Sequence, residues 1–174
     1  MPMPNPSPSE QEQIATVGFL SSDLAYGGVP VTRISTHGAH VFLAGDRAYK
    51  LKRAVRFPFM DFSSLGKRRA ALEAELRLNR ATAPELYLEL APVCRRADGA
   101  IGWDGGEAVD WVLVMRRFDQ ADLLSARAKA GRLTRVDAEN LAQTVARAHA
   151  QAPVIHRDEA QFFAATAMEN FPPL

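Results

Sequence analysis

A chain of 174 residues with 47% apolar and 24% charged side chains is long enough to bury the core of one ordinary domain. Its longest aliphatic run, Val112 to Met115, is far too short for a bilayer span, and its proline-alternating start is no signal core, so a cytoplasmic protein with no membrane contact is expected. The single cysteine, Cys94, excludes an internal disulfide and a thiol metal site. Net charge is only +1, yet Arg47 to Arg80 holds ten Lys/Arg against three acids, Asp61, Glu73 and Glu75. Basic faces of this kind are more often solvated than bound to nucleic acid, and the nearby aromatics Phe57, Phe59 and Phe62 crowd into one loop, so no nucleic acid is expected.

Residues 1–8 contain four prolines and read as a disordered tail. Ser9 and Glu12 have the spacing of a capping box, and Ile14, Val17, Leu20 and Leu24 continue a helical apolar period as far as Gly27-Gly28. Strands are expected at Val31 to Ser35, Val41 to Ala44 and Arg47 to Arg53, with Gly45-Asp46 as the tight turn between the last two. Ser63 or Ser64 caps the next helix, whose apolar face is Leu65, Leu72 and Leu76 and whose Arg68, Arg69 and Arg80 point largely elsewhere. Leu86 to Val93 and Trp111 to Met115 complete five strands.

Beyond Phe118 the pattern turns helical, with a short segment from Gln120 to Lys129 and a stop at Gly131. Thr134 and Asp137 form a cap pair for a long helix whose apolar or small positions are Ala138, Leu141, Ala142, Val145, His149 and Ala152. His149 reads as a core histidine. One or two further helical turns are expected around Ala160 to Met168.

Alternation puts Ala48, Lys50 and Lys52 on one face of the third strand and Tyr49 and Leu51 on the other. A small residue two positions before a lysine leaves room for a flat ring, which favours Lys50 over Lys52 as a phosphate ligand. A strand lysine needs a helical carboxylate to hold it, and Glu73 and Glu75 are the candidates. No histidine has metal-ligand spacing.

Several runs, taken together, carry a family resemblance: Thr36 to Lys52 (THGAHVFLAGDRAYKLK), Arg56 to Ser64 (RFPFMDFSS), Glu73 to Arg80 (EAELRLNR), Ala83 to Leu88 (APELYL) and Val109 to Phe118 (VDWVLVMRRF). From about Val31 to Pro153 the chain resembles the bacterial aminoglycoside-phosphotransferase-like proteins, in particular the bifunctional group with a second, P-loop ATP-binding domain. The resemblance implies an α+β fold, the N-terminal lobe of a protein-kinase-like enzyme: a five-stranded antiparallel sheet plus one helix over residues 9–118. The helical start of an incomplete C-terminal lobe would follow over 119–174.

It further implies ATP as the ligand, with Lys50 on the α- and β-phosphates and Glu75 paired to Lys50. Thr36, His37 and Gly38, in the turn running to Ala39, would cover the phosphates. Met115 would line the adenine pocket beside Ala48, with the Arg116 carbonyl and the Phe118 amide on the adenine edge. Ile155-His156-Arg157-Asp158 mimics a kinase catalytic loop, but the magnesium-binding asparagine expected five residues later is Phe163, so an ordinary polar turn is expected there. The same resemblance places the catalytic His-Gly-Asp stretch outside these residues. The expectation is therefore nucleotide binding without turnover, with magnesium only when the rest of the fold is supplied. The rival expectation is a partner-binding module in which the apolar face of helix 138–152 meets a C-terminal lobe or a second copy.

Overall fold

The computed structural model describes residues 8–154, in two compact units that divide after Leu133. The first unit is α+β and is built on one antiparallel sheet. Its strands are β1 (Val31–Ser35), β2 (Ala39–Ala44), β3 (Arg47–Lys52), β6 (Tyr87–Arg96), β7 (Ile101–Gly102) and β8 (Gly106–Arg116), in the order β1-β2-β3-β8-β6-β7. The sheet therefore has six strands where the apolar runs suggested five. The sixth, β7, pairs through Cys94 and Arg95 at the edge, and β8 begins at Gly106 rather than Trp111 because the β6 ladder continues to Arg96 opposite Gly106. A separate small hairpin, β4 (Arg56–Phe57) with β5 (Met60–Asp61), occupies the loop that follows β3.

Alternation along β3 holds as expected. Leu51 joins Phe42, Val93, Val112 and Val114 in a core on one face, closed by Leu20 of α1 (Pro8–Leu20). Tyr49 packs beside them with Tyr26 and Trp103, whose indole N–H donates to the Ala25 carbonyl at 2.7 Å. Ala48 and Lys50 lie on the opposite face, directly across from Met115 and Leu113 of β8. Gly45, with φ of 56°, takes the first place of the two-residue turn into β3, where a glycine relieves the steric conflict of a positive φ.

Helix α1 departs from its apolar reading. It ends at Leu20; Ser22 then caps a 3-10 turn over Asp23–Tyr26, and Gly27 closes that turn. Its inward positions are Gln13, Thr16 and Leu20, whereas Ile14 is 60% and Leu24 87% exposed. Gln13 is buried because its amide is satisfied at three points, the Lys52 carbonyl, the Ala54 N–H and the Asp110 carboxylate. The side chains of the Ser9–Glu12 pair lie outside those described.

Helix α2 (Leu65–Arg80) follows Ser64, whose hydroxyl accepts from the Lys67 N–H at 3.4 Å. It lies against β8 and β6 and buries Leu72 completely. Arg68, expected to point away, is instead buried, because Asp110 supplies it with a carboxylate inside the fold. Beyond β8, a 3-10 turn (Gln120–Asp122) capped by Asp119 precedes α3 (Leu124–Lys129).

In the second unit, α4 (Arg135–Gln151) opens on the expected capping box, Thr134 with Asp137. His149 is exposed among the described residues, not a core histidine: the helical period marked a stripe, and Val136, Leu141 and Val145 along this helix are exposed as well. Pro8, the last residue of the tail expected over residues 1–8, instead opens α1, while residues 1–7, the Ile155 to Asp158 turn, Phe163 and the turns around Ala160 to Met168 lie outside the described residues. No helix among those described is long and apolar enough to cross a membrane.

Candidate functional site

Alternation brings Ala48 and Lys50 to one wall of a cleft of about 290 Å³. Met115, the cross-strand partner of Ala48, lies beside it on the same face; Val41 and Leu43 of β2 and Leu86 extend the apolar lining, and Arg116 and Phe118 form the rim where the chain leaves β8. The lining is mostly hydrocarbon, with Lys50, Arg116, Arg117 and Gln120 as its polar members, a composition that can take a flat apolar ring carrying an anionic substituent. The exit strand is held from both sides: the Arg116 N–H donates to the Leu86 carbonyl and the Arg117 N–H to the Asp46 carbonyl, both at 2.8 Å. The Phe118 N–H has no partner among the described residues, which leaves a backbone donor at the rim.

Behind the cleft, Glu75 reaches β3 from α2. Its Oε1 accepts from Lys50 Nζ at 2.5 Å and its Oε2 from Lys52 Nζ at 2.8 Å. Burial pushes this carboxyl up, but the hydrogen bonds and charges of the two lysines outweigh burial and hold it below its ordinary value. Glu73 is exposed and bonds Arg69 one turn away on its own helix, so it takes no part.

Ala48, Lys50, Met115, Arg116 and Phe118 therefore converge on one cleft, with Glu75 attached through Lys50. Thr36, His37 and Gly38 occupy the β1–β2 turn and are not part of the cleft lining. That turn is closed on itself and on the strand end: the Ala39 N–H donates to Thr36 Oγ1 at 3.2 Å, and the Arg53 N–H donates to the Gly38 carbonyl at 2.9 Å. A Cβ built on Gly38 would come within 2.9 Å of the Met60 thioether, so the β4–β5 hairpin packs directly on this turn. His37 is exposed.

Two features escaped the sequence reading. Glu75 grips both lysines, so the ion pair does not by itself choose between them; the cleft lining, which contains Lys50 and not Lys52, does. The buried group of Gln13, Arg68 and Asp110 ties α1, α2 and β8 together behind the clamp. The spacing of Lys50 and Lys52 signalled the first, whereas a glutamine on a short helix gave no signal for the second.

Over 117 residues the chain is 35% identical to the uncharacterized protein Rv2004c of Mycobacterium tuberculosis, and equally to the uncharacterized protein Mb2027c of Mycobacterium bovis. Each match covers 67% of this chain and 22% of the relative, so the chain spans about a fifth of the length of the curated relatives it matches. No family model and no solved structure matches it.

Proposed function

We propose that residues 9–118 form the nucleotide-binding lobe of a kinase-like phosphotransferase of the aminoglycoside-phosphotransferase-like group, with ATP as the ligand, and that the helical residues from 119 onward begin its C-terminal lobe. The observation that carries this reading is the apolar cleft lined by Ala48 and Met115 with Lys50 at its wall and Glu75 locked onto that lysine. A triphosphate needs a cation fixed in position, and a lysine on a strand gripped by a carboxylate from the adjacent helix supplies one. The order of the five longer strands, with α2 inserted between β3 and β6, is the order that a kinase-like small lobe requires, and this supports the fold reading. Adenine would lie against Ala48 and Met115, its edge donating to the Arg116 carbonyl and accepting from the Phe118 amide. The phosphates would run past Lys50 toward the turn at Thr36 to Gly38.

Binding, not transfer, is the activity proposed for these residues, because in-line transfer also needs a base for the acceptor hydroxyl and ligands for magnesium. ATP titration followed by thermal unfolding tests the reading. The chain should be stabilised progressively as ATP exceeds its dissociation constant, and Lys50→Met and Glu75→Gln should each abolish the shift. A chain indifferent to ATP at millimolar concentration would overturn it.

A second reading, a partner-binding module, has its own observation: Val136, Leu141 and Val145 of α4 are 61%, 49% and 42% exposed. Self-association in sedimentation experiments, lost on replacing Leu141 and Val145 by glutamine and accompanied by no ATP shift, favours that reading over the first.

A further inference from the structure

The sheet has a second opening, on the face away from the cleft. A groove of about 690 Å³ runs over β3, β8 and β6 there, with Tyr49, Val114 and Leu88 along its floor and Trp103 as one wall. Alternation fixes this face: Tyr49 and Val114 are cross-strand partners, each one residue along from the Ala48 and Met115 that line the cleft. Helix α1 lies over β7 and β8, and among the described residues nothing closes the groove.

One side of it is aromatic and held in place. The Tyr49 ring centroid is 4.8 Å from that of Tyr26 and 5.5 Å from that of Trp103. Tyr26 and Trp103 donate to the Leu20 and Ala25 carbonyls, whereas the Tyr49 hydroxyl has no hydrogen-bond partner among the described residues. Burial raises the Tyr49 phenol above its ordinary value, with Arg47 opposing and Asp46 and Glu89 adding to the rise, so the group presents an un-ionised O–H.

The charges around the groove differ in how they are paired. Arg47 has Asp46 within 3.7 Å. Arg116 and Glu89 also line the groove, yet neither makes an ion pair among the described residues. Glu89 is the cross-strand partner of Val114, and Arg116 follows two places along β8 on the same face. Positions on such a diagonal are about 7–8 Å apart, a gap that a ligand with both charges on one carbon can bridge. Its carboxylate would take two parallel N–H bonds from Arg116, its ammonium would donate to Glu89, and a ring on the same carbon would reach the Tyr49 and Trp103 side.

We propose that this groove is a second ligand site, for a free aromatic α-amino acid. The ring packs on Tyr49, Leu88 and Val114 beside Trp103, and the two charged groups face Arg116 and Glu89. The site goes beyond the nucleotide reading and does not rest on it. It shares only Arg116 with the cleft, through the side chain and not the carbonyl.

Calorimetric titration of the full chain with L-phenylalanine tests the assignment. Saturable binding is expected below about 10 mM, with L-alanine, which lacks the ring, at least about tenfold weaker. Removing either charge should weaken binding about three- to fivefold, the scale of an exposed ion pair. That holds for 3-phenylpropionate and phenethylamine on the unaltered chain, and for L-phenylalanine on Glu89→Gln and Arg116→Gln, which replace exposed groups and should fold normally. Ala48→Leu, which fills the cleft on the other face, should leave L-phenylalanine affinity within about twofold. No saturable binding at about 10 mM overturns the proposal. So does binding that both charge variants leave unchanged, or binding that Ala48→Leu abolishes, which would put the ring in the cleft. Phenylpropionate binding as tightly as L-phenylalanine removes Glu89 from the site and overturns the amino-acid assignment. None of these outcomes depends on whether ATP stabilises the chain, so this proposal and the nucleotide reading fail separately.

Discussion

Arg68 Nε donates to Asp110 Oδ1 at 3.0 Å, with 8% and 1% of the two side chains exposed. Gln13 closes the group by donating to the other oxygen, Oδ2, at 2.7 Å. Removing one charge strands the other inside the fold, so Arg68→Met should destabilise the chain by about 3–5 kcal/mol. Replacing both partners, as Arg68→Met with Asp110→Leu, should recover much of that loss, since no unpaired charge remains. Urea unfolding of the two variants checks the asymmetry; a double variant less stable than Arg68→Met contradicts it.

Acid should loosen the clamp in a defined direction. Glu75 is held below its ordinary value of 4.5 by Lys50 and Lys52, against the upward push of burial. A carboxyl with a lowered folded value binds a proton more readily in the unfolded chain, so its contribution is complete above 4.5 and is lost as pH falls through the lower folded value. The urea midpoint should therefore decline from about pH 5 downward. Glu75→Gln should show a shallower decline over the same range. Asp61 is lowered in the same direction by Lys67 and Ser63, and it remains in both chains, so the difference between them belongs to Glu75.

Strand alternation and turn chemistry were legible because each rests on local rules. Period two along Arg47 to Lys52 separated Leu51 from Lys50, and Gly45-Asp46 announced the hairpin. What could not be read was polar burial. Gln13 and Arg68 look solvent-facing in any periodicity argument, and they are inside only because Asp110, 97 and 42 residues away, satisfies them. Likewise Ile14 and Leu24 extended an apparent apolar stripe whose helix stops at Leu20, since the Ser22 cap overrides the period. The site was legible in part: the cleft residues lie close in strand register, and the spacing of Lys50 and Lys52 puts both on one face, whereas the placement of Glu75 between them depends on how α2 packs against β8 and β6.

The two hairpin glycines should behave differently. Gly45 has φ of 56°, a conformation costly to any residue with a Cβ, so Gly45→Ala should cost about 1–2 kcal/mol. Gly38 has no positive φ, and the atoms a Cβ would meet first are the thioether end of Met60, which can shift. Gly38→Ala should therefore cost less than about 1 kcal/mol, and pairing it with Met60→Ala should lift the remaining contact. Thermal unfolding of the single variants settles the ranking, and a larger loss at Gly38 would mean that the β4–β5 hairpin cannot yield.

Ala48 offers a way to separate the proposed ring pocket from the proposed phosphate clamp. It is 6% exposed, lies opposite Met115 and shares its face with Lys50. Ala48→Leu would put three more carbons into the cleft where adenine is proposed to lie, without touching Lys50, Glu75 or Lys52. Overpacking of this kind costs about 1–3 kcal/mol of stability, so the variant should still fold. If the ring occupies this space, ATP affinity should fall at least about tenfold, equivalent to about 1.4 kcal/mol, while inorganic tripolyphosphate, which needs only the clamp, should bind as before. Equal losses for both would place the phosphates in the cleft itself and the base elsewhere. Competition of the two ligands in thermal unfolding, run on Ala48→Leu and Lys50→Met side by side, distinguishes these arrangements because the lysine variant should lose both ligands.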